Sequence, residues 1–181
     1  MVISESPPLK HPTHSEGFPN PAPNNHPMAN RYKVIQGGPY PHLITCTIVR
    51  WLPVFISGPY FRVITDSLAY LRENRGLLIH AYVIMPTHVH AVVTALKDDL
   101  SDIVRDFKKF TSRAIYDLAA QSGNVLLTRM FEEAAKKQPH SRFKVWQDEF
   151  HPEMTFNEQV LKQKMEYVHA NPVRKGLVME A

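Results

Sequence analysis

Two kinds of spacing govern the apolar residues of this chain. Following a Gly37-Gly38-Pro39 turn signal, residues 42–50 (HLITCTIVR) are rich in β-branched side chains and predict a strand. Phe61, Ile64, Leu68 and Leu71 then recur at intervals of 3, 4 and 3, which predicts an amphipathic helix ending near Asn74 to Gly76. Residues 77–85 and 88–96 read as two strands joined across Pro86-Thr87, an antiparallel pair. Ser101 or Asp102 is the expected cap of a second helix, with Ile103, Phe107, Phe110, Ala114 and Leu118 as its core stripe. Residues 120–142 read as a long loop with a short helix over 130–137, and 143–150 (FKVWQDEF) as a fourth strand. Thr155 and Glu158 have capping-box spacing, and the helix they open is expected to carry Tyr167 and to stop before Pro172.

The resulting order, strand, helix, strand, strand, helix, strand, helix, is an α+β pattern compatible with a ferredoxin-like antiparallel sheet with covering helices. No internal repeat is visible. Residues 1–30 differ from the rest: seven prolines, among Asn, Ser and His, leave no apolar periodicity, which predicts a disordered extension ahead of one domain spanning 31–181. The chain has 181 residues, 44% hydrophobic and 21% charged, enough for one sizeable core. The absence of a long apolar run or a signal-like start predicts no membrane association and a cytoplasmic location. A single cysteine, Cys46, excludes an intrachain disulfide and a cysteine-based zinc site. The net charge of +4 suits a polyanionic partner without requiring one.

The sharpest chemical signal is Met85-Pro-Thr-His-Val-His90. On a strand, His88 and His90 share a face while Val89, Ala91 and Val93 take the other, so two neutral imidazoles stand ready for one divalent ion. An HxH pair is also compatible with two ordinary histidines. A third ligand is needed, and His80, His151 and His169 are candidates. On the last helix, Lys164, Tyr167 and Asn171 fall on one flank beside an apolar stripe of Leu161, Met165 and Val168. That places the Tyr167 phenol at the edge of a buried face, within reach of a site above the sheet. On the second helix, Arg105, Lys108, Lys109 and Arg113 stand opposite the apolar stripe, as a solvated surface or as a track of phosphate contacts that Arg174 and Lys175 would extend. P-loop, dinucleotide-binding and GxSxG patterns are absent.

Residues 80–94 (HAYVIMPTHVHAVVT) resemble the HUH strand of the IS200-like single-tyrosine transposases, with Val89 as the hydrophobic spacer. Residues 164–178 (KMEYVHANPVRKGLV) resemble the tyrosine helix of their REP-associated tyrosine transposase branch, with lesser echoes at 106–115 and 145–153. The resemblance spans about residues 31–178 and implies an HUH nuclease fold. It implies Tyr167 as nucleophile, His88 and His90 as the metal pair, and Asn171 as a polar residue completing the shell around Mg2+ or Mn2+. The implied activity is cleavage and strand transfer of single-stranded DNA, at hairpin or repetitive palindromic sites, through a 5′-phosphotyrosine. Lys164 is a candidate cation to assist the phenol. Relatives that work as homodimers and relatives that work alone both occur, so the resemblance leaves assembly open. Two other functions fit the same residues: a domesticated, catalytically silent hairpin DNA-binding protein, and a small metal-dependent hydrolase that ignores Tyr167.

Overall fold

The computed structural model describes residues 39–97, 99–136, 138 and 141–179. The expected disordered extension, the expected domain start near Arg31 and Lys137 lie outside those residues. Within them, β1 (His42–Thr47), β2 (Leu77–Met85), β3 (His88–Ala95) and β4 (Glu153–Met154) form one antiparallel sheet in the order β2–β3–β1–β4. This is the expected ferredoxin-like arrangement. The Pro86-Thr87 turn joins β2 to β3, whose pairing is offset by an irregularity between Ile79 and Ala81.

The helices divide between the two sides of the sheet. α1 (Gly58–Asn74) and α2 (Leu100–Gln121) cover the face bearing Ile44, Cys46, Val89, Ala91 and Val93, and α3 (Val125–Ala135) packs on α2. The core there includes Ile64, Leu68, Leu71, Ile103, Phe107 and Phe131. α4 (Glu158–Arg174) lies on the opposite face over β2 and β3, where Val168 meets Leu43, Ala81 and Val92. Leu161, Met165 and Tyr167 border that cluster, the stripe expected from the spacing. No described helix is long and apolar enough to cross a membrane.

Several local expectations are corrected. β1 ends at Thr47 and turns through a 3₁₀ segment (Val49–Trp51) in which Arg50 and Trp51 have φ of 56° and 52°. α2 is capped by Asp99, whose carboxylate accepts from the Ser101 amide at 2.7 Å, a few residues earlier than Ser101 or Asp102 would place it. Its buried side also differs. Phe110 is exposed and Ala114 and Leu118 are half-buried, whereas Lys108, Thr111, Ile115 and Ala119 are buried. Thr111 is tolerated there because it donates to the Phe107 carbonyl at 2.7 Å and accepts from the Trp146 indole at 2.9 Å.

The short helix expected over 130–137 is α3, which begins earlier and takes up much of the expected loop; Asn124 starts it, its side chain accepting from the Leu127 amide at 3.1 Å. Residues 143–150 make no strand. They run beside the end of β1 with a single bridge, Ile48 to Trp146, and bury Val145, Trp146 and Phe150 in the core. The fourth strand is β4, two residues long and nearer the C-terminus.

α4 is not opened by the Thr155–Glu158 box. Thr155 is tied to Pro41 through its amide (2.8 Å) and hydroxyl (2.9 Å), and Asn157 caps the helix by accepting from the Val160 amide at 2.8 Å. Nor does the helix stop before Pro172. It continues to Arg174 and closes at Gly176, φ +67°, with Gly176 N–H donating to Val173 and Leu177 N–H to Pro172, both at 2.9 Å. Those two bonds make a Schellman closure, which satisfies carbonyls of the last turn and offsets the amide that proline lacks.

Candidate active site

The antiparallel register sets the site. His88 and His90 lie opposite Thr47 and Thr45 of β1, on the sheet face that α4 covers. Because β3 is flanked by β1 and β2 on either side, neither imidazole can swing away with a free strand edge. The two rings meet edge to face with centroids 4.6 Å apart. From above, α4 lowers Tyr167 onto His90 with ring centroids 5.4 Å apart and an interplanar angle of 68°. The sequence-derived trio thus converges at one place.

Each histidine has a threonine at its Nδ1. His90 Nδ1 and the Thr45 hydroxyl share a hydrogen bond of 2.8 Å, as do His88 Nδ1 and the Thr87 hydroxyl. With Nδ1 engaged, Nε2 is the nitrogen left to face the site. Burial lowers the pKa of both rings. For His88 the charge of Lys175 adds to this, and His90 is pushed down to about 4 by burial first and by His88 second, with Glu153 acting in the opposite sense. Both imidazoles are therefore neutral near pH 7 and carry a lone pair for a cation.

Asn171, one turn beyond Tyr167, is 5% exposed, and its Oδ1 is buried with no hydrogen-bond partner among the described residues. An orphaned buried acceptor carries a desolvation cost, so a cation or donor at that point would satisfy it. Among the described residues no group of three or more His, Cys, Asp or Glu side chains gathers as a metal site. Two imidazoles, with the Asn171 amide oxygen one turn beyond Tyr167, offer a mixed nitrogen and oxygen donor set that suits Mn2+ better than the oxygen-preferring Mg2+, with water completing the shell. The other histidines do not join. His80 bonds to Thr94 at 2.9 Å, toward the other end of β3, and His151 and His169 are exposed.

The basic residues fall into two groups. On α4 and its end, the Arg174 guanidinium lies 6.0 Å from the centroid of the Tyr167 ring, and Lys175 is near enough to His88 to influence its proton. Lys164 does not turn toward the phenol. It is ion-paired with Glu153 of β4. On α2, the expected single basic face is corrected. Lys108 is 7% exposed and donates to the carbonyls of Gln147 (3.0 Å) and Glu149 (3.4 Å), anchoring the segment that failed to form a strand. Arg105 is paired with Asp102 and Asp106, and Arg113 with Asp117 at 2.8 Å, while Lys109 is exposed. The sheet separates α2 from α4, so Arg174 and Lys175 do not extend the α2 group.

Thr45, Thr87 and Glu153 are the neighbours that sequence reasoning missed. Thr87 precedes His88 directly, and Glu153 sits in the 145–153 echo. Thr45 needed the strand register.

No family model matches the chain, and no curated protein matches its sequence. Among solved structures it is similar to a REP-associated tyrosine transposase bound to a REP hairpin. The two are 19% identical with a TM-score of 0.59, over 82% of this chain and 75% of that one. The fold is that of a REP-associated tyrosine transposase. A putative transposase from Deinococcus radiodurans R1 also matches, 18% identical with a TM-score of 0.45, over 75% of this chain and 93% of that one.

Proposed function

We propose that this protein is a transposase of the IS200-like, REP-associated branch that cleaves and rejoins single-stranded DNA at hairpin sites. The observation that carries the reading is the convergence of Tyr167 with His88 and His90 on one face of a rigid sheet. One turn beyond Tyr167, the buried Asn171 carries an amide oxygen without a hydrogen-bond partner among the described residues, which supports the same reading. The shared fold with a transposase bound to a REP hairpin supports the same partner class.

His88, His90 and Asn171 would hold a Mg2+ or Mn2+ ion, which when bound polarises the scissile phosphate and stabilises charge on its oxygens. The chain's own part begins with position. Tyr167 is held by ring contact with His90, which limits where its oxygen can travel. The phenol oxygen attacks phosphorus as its proton leaves to solvent, the bond from phosphorus to the 3′ oxygen breaks, and a 5′-phosphotyrosine and a free 3′-hydroxyl result. Attack by the 3′-hydroxyl of another strand reverses the step and rejoins DNA. Arg174 and Lys175, exposed beside Tyr167 and His88, supply phosphate contacts, with exposed Lys109 open to flanking nucleic acid and Arg105 and Arg113 joining it only on leaving their carboxylate partners. Lys164 assists the phenol only after leaving Glu153, so cleavage by Lys164→Ala at the wild-type rate would remove it from the mechanism.

The test is incubation of the protein with labelled single-stranded hairpin DNA and Mg2+ or Mn2+, beside Tyr167→Phe and His88→Ala. The expected result is a denaturation-resistant protein–DNA adduct, absent from both variants. Cleavage that survives Tyr167→Phe would point to a hydrolase. Salt-sensitive binding to hairpins with no adduct under any condition would make the protein a silent binder.

A further inference from the structure

The loop after β1 presents a tryptophan in an unusual way. Trp51 is 66% exposed, although its neighbours Val49, Val54 and Phe55 are buried. Arg50 and Trp51 both adopt left-handed backbone conformations that non-glycine residues seldom take, φ 56° and 52°. Surrounding contacts impose this geometry. The Trp51 amide donates to the Ile48 carbonyl at 3.0 Å, Val49 N–H donates to Val145 at 2.8 Å, and Arg50 reaches Glu133 of α3 at 3.4 Å.

The same loop is fastened at both ends to the turn that launches the histidine strand. Ile48 N–H donates to the Thr87 carbonyl at 2.9 Å, and Phe55 N–H donates to the Pro86 carbonyl at 3.0 Å. Thr87 is the residue whose hydroxyl bonds His88. Trp51 is thus held on a rigid support at the His88 end of the sheet, the end where Lys175 also lies. The other tryptophan, Trp146, is buried in the core at 4% exposure.

We infer that Trp51 is a stacking platform for an unpaired nucleobase of the DNA strand that enters the His88–Tyr167 site. The inference rests on the proposed single-stranded DNA reading and adds a contact to it. An indole face accepts any base, so the contact contributes affinity and strand placement without sequence preference. Lys175 offers a cation for the backbone of the same strand, which makes this end complementary to an unpaired polyanion rather than to a neutral apolar partner. Base-paired DNA has its faces covered, so the platform favours the unpaired flank of a hairpin.

The buried position of Trp146 makes the test direct. Intrinsic fluorescence of the full-length protein would be titrated with an unstructured oligodeoxynucleotide and with a fully paired duplex, for the wild type, Trp51→Phe, Trp51→Ala and Tyr167→Phe. The single strand should quench the wild type and Tyr167→Phe alike, and should leave Trp51→Phe, which retains only the core indole, nearly unchanged. Trp51→Ala should bind the single strand about 5- to 100-fold more weakly, with duplex binding little altered. Circular dichroism and a thermal melt would establish that both Trp51 variants are folded. Single-strand binding without quenching, and equal in Trp51→Ala, would overturn the platform while adduct formation through Tyr167 still stood. A wild type that neither binds single strands nor forms an adduct would overturn both.

Discussion

Acid should destabilise the metal-free protein through His90, by an amount that the structure lets us work out. His90 is 7% exposed, and its pKa is pushed down to about 4, against about 6.5 for a free imidazole. The folded state therefore binds fewer protons than the unfolded chain at any pH between those values, so stability falls as the pH is lowered through that window. The contribution is fully present above about pH 6.5 and exhausted below about pH 4. Between pH 7 and pH 5 the His90 share of the loss is about 2 kcal/mol. His88, His42 and His80 are shifted in the same direction by burial, so the wild type should lose somewhat more. His90→Gln isolates the share, because its side chain does not titrate. Urea unfolding of both proteins in EDTA at pH 7, 6 and 5 should show the wild-type stability converging on that of the variant by about 2 kcal/mol over the range. Parallel pH profiles would refute the assignment of a buried, neutral imidazole at His90.

Three further outcomes are expected. Asn171→Leu removes a buried acceptor that has no partner, so the metal-free protein should be unchanged or slightly more stable while Mn2+ affinity, read by calorimetry, falls about tenfold or more; unchanged affinity would exclude Asn171 as a ligand. Lys108→Met should cost about 1–3 kcal/mol in urea unfolding, because two carbonyls lose a charged donor, whereas a loss of DNA affinity with unchanged stability would return Lys108 to a surface role. Gly176→Ala places a Cβ where nothing lies within 4 Å but φ is +67°, so it should lower stability by about 1 kcal/mol through backbone strain alone. No change in its unfolding midpoint would mean that the Schellman closure does not hold the end of α4.

The legible parts of the sequence were those in which side-chain type and local geometry agree. β2 and β3 announced themselves because their apolar runs flank a Pro-Thr turn, and that turn also fixes which face His88 and His90 share. The flank of α4 was readable because Leu161, Met165 and Val168 mark its buried side and Tyr167 must then lie at the edge. The misreadings on α2 have a common cause in polar side chains that find partners only in the tertiary structure. Thr111 and Lys108 look like surface residues along a helix, yet both are buried because a carbonyl, an indole or a loop backbone receives them. Their burial rotates α2 and leaves Phe110 outside. Residues 143–150 have strand-like composition, but β1 pairs with β4 instead, so their aromatics serve as packing.

This division bears on how the site is built. The face of the sheet toward α1 and α2 is closed by a continuous apolar cluster, while the opposite face carries only a small one around Val168. Stability can therefore be supplied largely from one side of β3 while the other side holds neutral imidazoles, an unpaired amide oxygen and a half-buried phenol. Alternation along a single strand produces that separation, since Val89 and Ala91 anchor one face of the backbone while His88 and His90 stand on the other. Pro172 belongs to the same logic. By running through it, α4 carries Asn171 into the buried space one turn beyond Tyr167, where stopping at Asn171 would have left the amide at a frayed end. The α4 closure at Gly176 is what makes that extra turn affordable, and it also brings Lys175 toward His88.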